Sequence, residues 1–367
     1  MAKGNMLLGY ARGAVGNLVF SRVKGNEVTK ARNRQPANPK TSKQVYQRAK
    51  FLNAVNFYKR GVQNLFKFAY EDKTQQESDF NAFMRHNVSR AIPVGNGSST
   101  ESLYPAISNW ITSVGSLNGP QAVIGQQGDL NSFADMLTGR TYAVGNYNVS
   151  PSNAQDAPTP LTDDITASVA IRLDEAPATF GDLCRLLKVQ YPDLQEGDIV
   201  TITMIHQFIQ GIGEPRLLMP SAYGTEGLMS TPAWKFAQFI IDSTSTTPIA
   251  DVTGNKIYLS DGLILDFPQT TVMSISIVKS WQDVWEELEG GTFDPELFGN
   301  MSSCVAGVVT FSRETSSGLR VSTQEFSTSE GFQQLIELSK TTAFTESVLR
   351  SWDAADMAIL EGGFIRA

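Results

Sequence analysis

Histidine and cysteine are both scarce in this chain. The 367 residues hold two of each: His86 and His206, Cys184 and Cys304. Two cysteines in separate apolar runs (GDLCRLL and SSCVAGVV) do not make a disulfide scaffold, and with two histidines they do not make a metal site. They read as buried thiols. His206 stands among apolar residues in MIHQF and reads as structural. His86, in FMRHNV, reads as an exposed or capping residue on a helix. No G-x-S-x-G, no G-x-x-x-x-G-K-[ST] and no G-x-G-x-x-G after a strand occurs, and QGIGEPR stops after two glycines. DVTGNKIYLSD reads as turn and strand, not as a calcium loop. The acid pairs Asp163-Asp164, Asp174-Glu175 and Glu286-Glu287 are sequence neighbours, and neighbours on a strand point to opposite faces. The expectation is a protein that is no enzyme, with no catalytic residue, no cofactor and no metal.

Long apolar runs are missing too. No stretch approaches the ~20 residues a membrane-spanning helix needs. The first residues, MAKGNMLLGYARGAVGNLVFSR, are broken by Gly9, Arg12, Gly13 and Gly16 and do not read as a secretory signal. Hydrophobic content of 41% with 18% charge belongs to a globular chain long enough for two or three domains.

What is present is an uneven charge. Overall the chain carries −7, yet residues 1–70 hold fourteen of the 30 Lys and Arg and only one of the 37 Asp and Glu. The first 70 residues are therefore at +13 and the remainder at −20. Such asymmetry points to a basic arm that meets something negative, either nucleic acid or the acidic remainder of a neighbouring copy. Candidate contact residues are Arg12, Arg22, Lys24, Lys30, Arg32, Arg34, Lys40, Lys43, Arg48 and Lys50. Flexible cations among Gly, Asn, Thr and Pro suit phosphate contacts. With only Tyr10, Phe20 and Tyr46 as aromatics, base stacking is a poor fit.

Four regions follow. Residues 1–40 form a basic arm, with NLVFSRV and EVTKARN pairing as a hairpin across Lys24-Gly25-Asn26. A lone hairpin is marginal in water, so it should dock on something. Residues 41–92 read as a helical hairpin. Its first helix starts at the Thr41/Gln44 capping box, with an apolar stripe Val45, Ala49, Leu52, Val55, Tyr58, Val62, Leu65, Ala69 over about seven turns. Its second starts at Thr74/Glu77 with Phe80, Phe83, Met84 and Val88, and stops by Pro93. Residues 93–164 are a Gly/Ser/Pro-rich connecting region. Residues 165–367 alternate with period two in ITASVAIRL, IVTITMI and VMSISIV, the pattern of antiparallel sheet with one wet face. ETSSG and Asp261-Gly262 look like hairpin turns. Short helices are expected at TFGDLCRLLKVQ, SEGFQQLIELS and TESVLRSWDAADMAIL. The fold class expected is mainly β with α (α+β), with an antiparallel β-sandwich or jelly-roll-like body.

The N-terminal run carries a pattern: Gly13, Val15, Gly16, Asn17 and Val19, then Lys24-Gly25, Arg32, Asn38-Pro39-Lys40-Thr41, Gln44, Gln47 and Arg48. It resembles uncharacterised structural, virion-type proteins of Bacteroidota and their small phages. QQESDFNAFMRHNV and SRETSSGLRVS look like further shared blocks. The likeness covers about the first 90 residues well and the rest weakly. It implies a structural role and supplies no catalytic residues. The expectation is therefore a self-assembling phage virion subunit, most simply of the capsid or shell. It would be made in the host cytoplasm and located in the virion, with many copies of itself as partner, packaged nucleic acid as a further partner of the arm, and no membrane. The alternatives are a non-viral bacterial surface or secreted binding module, and a tail or accessory virion protein.

Overall fold

A computed structural model describes residues 13–15, 17–23, 26–32, 41–59, 68–95, 106–124, 141–147, 165–210, 233–248, 257–259, 264–266, 272–279 and 301–361. Among them are five helices and sixteen strands, an α+β fold.

Two long strands make the centre. β8 (Ile199–Gln210) and β13 (Met301–Thr315) pair antiparallel from Ile199↔Ser312 to Gln210↔Met301. Around them a six-stranded sheet runs β10 (Ile257–Leu259), β9 (Ala233–Ile240), β8, β13, β14 (Gly318–Val321), with β16 (Ser327–Thr328) also on β13. A five-stranded sheet runs β11 (Ile264–Asp266), β12 (Val272–Lys279), β7 (Ile165–Arg172), β6 (Thr141–Tyr147), β5 (Gln121–Ile124). β5 pairs with β6 in parallel, the one departure from the antiparallel expectation in these two sheets. β4 (Ile111–Ser113) pairs with β15 (Gln324–Glu325). Strands β4, β5 and β6 all come from the stretch read as a connecting region.

Alternation places the central strands between two cores. Val200, Ile202 and Met204 of β8, with Val305, Val309 and Phe311 of β13, meet Val144, Val169, Ile171, Met273 and Ile275 of the five-stranded sheet. The two sheets pack closely at Gly307, where a Cβ would lie 2.3 Å from Val169 Cγ2. Helix α3 (Phe180–Gln190) closes this core with Phe180, Leu183, Cys184 and Leu187. It begins as expected at Thr179, whose side chain and backbone exchange hydrogen bonds with Asp182 in a full capping box.

The opposite face was expected to be wet. Instead Ile205, Cys304, Ala306 and Val308 pack into a second core beneath helices α1 (Ser42–Phe57), α2 (Asp79–Asn87), α4 (Glu330–Leu338) and α5 (Thr342–Glu361). Thr203 is buried with them, and only the end of the face near Thr201 stays half open. Both cysteines are buried thiols, as expected, and burial pushes the Cys304 thiol up.

Three further expectations need correction. Helix α1 keeps its Thr41 cap, with the Gln44 amide donating to Thr41 Oγ1 at 3.4 Å, but its regular turns stop at Phe57, and Ala69 lies in extended chain. Val62 and Leu65 lie outside the described residues. Helix α2 starts at Ser78, which accepts from the Asn81 amide at 3.2 Å, while Thr74 and Glu77 form a separate local turn. Asp261-Gly262 lies outside the described residues, but the strands on either side do not pair as the expected hairpin: β10 pairs with β9 in one sheet and β11 with β12 in the other. The ETSSG hairpin does form, with Gly318 at φ +125° where a side chain would be strained, and with Thr315 Oγ1 donating to the Gly318 carbonyl.

Candidate interaction surface

The basic region folds as a further, separate sheet. β1 (Gly13–Val15), β2 (Leu18–Val23) and β3 (Asn26–Ala31) pair antiparallel, the register running Leu18↔Ala31, Val19↔Lys30, Phe20↔Thr29 and Ser21↔Val28. The Arg32 amide continues the ladder onto the Asn17 carbonyl at 2.6 Å. None of the described side chains of this sheet is buried, and none belongs to either core. Leu18 is 44% exposed and Val28 36%. Period two puts Val28, Lys30 and Arg32 on one face with Val19, and Leu18 and Phe20 on the other. The hairpin expected from the sequence is thus present, with β1 as an added strand.

Five of the ten candidate cations have described side chains, and these lie on two elements, the β1–β3 sheet and α1. Arg12, Lys24, Arg34 and Lys40 lie outside the described residues. Arg22 is on β2, its backbone paired with Glu27. Lys30 and Arg32 are exposed on the sheet, and Lys43 is exposed in the first turn of α1. Arg48 is half-buried on α1. Lys50 is engaged inside the fold: its Nζ donates to the Ser89 carbonyl at 2.8 Å and lies 5.8 Å from the Tyr46 ring, and burial lowers its pKa. Lys50 therefore ties α1 to the end of α2.

A network that sequence reasoning did not find lies between the N-terminal block and the C-terminal strands. Asn87, fully buried on α2, accepts from the Ile111 amide at 2.7 Å and donates to the Ile111 carbonyl at 2.9 Å, holding β4 in place. Asn53 of α1 donates to the carbonyls of Ile92 and Ala106, both at 2.9 Å. Arg85 forks onto Glu77 and reaches Asp72 at 2.8 Å, which raises the guanidinium's pKa and lowers those of both acids. Glu71 Oε1 accepts from the amides of Ser116 and Val321. Ser113, Thr112 and Thr323 then stitch the 112–115 backbone to 322–324, and the Phe326 amide donates to the Trp110 carbonyl. The only sequence signal was polar Asn residues standing inside helical stripes.

Beside this seam lies a cleft of about 730 Å³. Its walls include Gln121 and Tyr142, Asn109, Gln324 and Gln333, with the Arg90–Glu325 ion pair at 2.8 Å. The lining is rich in carboxamides and hydroxyls. Among the described residues no group of three or more His, Cys, Asp and Glu is placed to hold a metal ion, and no helix is long and apolar enough to cross a membrane.

The whole is an α+β body whose N-terminal helices and C-terminal strands interlock, with a cationic sheet outside both cores. Residues 10–122, from the arm to the start of β5, match a family described as a family of unknown function (DUF6266), over less than a third of the chain. No curated protein and no solved structure matches the chain.

One electrostatic contact gives a pH test. Glu196 accepts from Lys188 Nζ at 2.7 Å and from the Ser243 amide at 3.0 Å, which holds its carboxyl down at about 2. A depressed folded-state pKa means the stabilisation is complete above the ordinary value of 4.5 and fades as pH falls toward about 2. The pair is solvent-exposed, so the effect is small. Glu196→Gln should lower the denaturation midpoint slightly at neutral pH, and the gap to the native chain should close near the acid end of that window.

Proposed function

We propose that this chain is a self-assembling structural subunit of the virion type, most simply a phage capsid or shell protein. Under this reading the basic N-terminal region contacts neighbouring subunits or packaged genome, and no residue acts catalytically. The observation that carries it is the cationic three-stranded sheet standing outside both cores. A sheet of that size whose described side chains are all exposed or half-exposed gains too little from burial to be stable alone, and its order is favoured when a partner covers it. The interlocked remainder supplies a rigid body on which such a contact can be repeated. Negative-stain microscopy of the purified protein tests the reading. Closed shells, tubes or other regular assemblies are expected from the native chain, and their loss on deleting residues 1–40. Uniform monomers at all concentrations, or assemblies indifferent to the deletion, would overturn it.

A second reading, a bacterial binding module, is favoured by the carboxamide-lined cleft, since such groups both donate and accept hydrogen bonds to a neutral polar ligand. Assembly and cleft occupancy separate the two: a binding module would stay monomeric and show thermal stabilisation by a ligand.

A further inference from the structure

We infer that the β1–β3 sheet docks by one face on the acidic surface of a second copy of this chain, and that neither strand addition nor nucleic acid is its main contact. This rests on the assembly reading above.

Strand addition is disfavoured at both edges. β1 is three residues long, too short to template a strand. The other edge, β3, carries Lys30 and runs into Arg32, so two copies meeting edge to edge would oppose like charges. The faces are open instead. The Val19/Val28/Lys30/Arg32 face mixes apolar and cationic side chains, all exposed or half-exposed. A surface built for phosphates gains nothing from Val19 and Val28, because phosphate contacts are ionic and sequence-independent. A protein surface rich in carboxylates uses both kinds. The same chain supplies carboxylates in excess, its residues 71–367 carrying a net −20.

Size sets the strength. Two strands about 20 Å long and one about 10 Å long, about 4.8 Å apart, offer roughly 240 Å² on one face. A stable pairwise interface takes about 800 Å² from each partner. One sheet face is therefore too small for a tight isolated dimer. It suits a weak contact repeated over many copies, where linkage multiplies the affinity.

The test compares the full-length chain with Lys30→Glu/Arg32→Glu and with Val19→Ser/Val28→Ser. The second pair removes apolar surface from the docking face without touching charge. Self-association is followed by sedimentation over a concentration series, with melting followed by circular dichroism. Because the sheet lies outside both cores, both variants should melt with the native chain. Exposed charge contacts are individually weak, so reversing two of them should weaken association about tenfold, and the apolar pair should weaken it too. A short mixed-sequence DNA duplex is titrated in parallel and should bind all three proteins equally. If the variants assemble like the native chain, the inference fails while the assembly reading stands. If the charge variant loses only duplex binding, the sheet is a nucleic-acid surface and the inference fails. A native chain that never associates removes both.

Discussion

Phe57→Ala should destabilise the protein by about 3–5 kcal/mol, the range for emptying a large aromatic site in a packed core. Phe57 is fully buried at the last regular turn of α1. Among the described residues its ring meets four others from four different parts of the chain. It stacks on Trp110 at 4.8 Å and on Phe83 of α2 at 6.1 Å. It tilts against Trp234 of β9 at 5.5 Å and meets Phe326 edge-on at 6.3 Å. Such pairs add about 0.5–1.5 kcal/mol beyond area, and their partners cannot all collapse onto one methyl group. Urea unfolding followed by tryptophan fluorescence and by circular dichroism should show one transition shifted to lower denaturant. A loss under about 1 kcal/mol would mean that the N-terminal helices merely rest on the sheet.

That aromatic hub also shows where sequence reading stops. Helix α3 was legible in its span and its Thr179 cap, because both lie within one short window, while the return bond from Asp182 was not read. The long strands were legible for the same reason: Val200, Ile202 and Met204 alternate with Thr201 and Thr203, and the structure buries the first three in one core. The second face was misjudged because a threonine in a strand carries no sign of what lies above it; helices from both ends of the chain cover Thr203. Asp261-Gly262 misled because a local turn signal says nothing about whether the next strand returns to the same sheet. β4, β5 and β6 were missed because strands of three to seven residues, set in Gly- and Ser-rich sequence, take their pairing from partners elsewhere, β4 from β15 some 200 residues on. On the functional side, the cationic hairpin could be read from charge and turn chemistry. The Asn87, Glu71 and Arg85 network could not, since its meaning depends on backbone groups that come near only on folding.

Arg313→Met should cost as much as the loss of Phe57, for a different reason. Asp198 is 2% exposed at its side chain, and Arg313 grips both of its oxygens at 2.7 Å while donating to the Asp193 carbonyl at 2.6 Å. The Gln195 amide adds a third bond to the same carboxylate. The carboxylate raises the Arg313 pKa further, so the guanidinium stays charged throughout the working range. The clamp joins the 193–198 turn before β8 to the end of β13. Removing the arginine leaves a buried carboxylate with one backbone donor, and breaking such a pair from one side costs about 3–5 kcal/mol. The double variant Asp198→Leu/Arg313→Met removes the stranded charge as well as the bond, so it should recover much of that loss. Denaturation midpoints of the native chain, both single variants and the double variant give the coupling directly. If Arg313→Met alone is within about 1 kcal/mol of native, water reaches Asp198 and the clamp is a surface contact. If instead the double variant is as damaged as the single, the two strand ends need the geometry of the fork itself, which apolar packing does not reproduce.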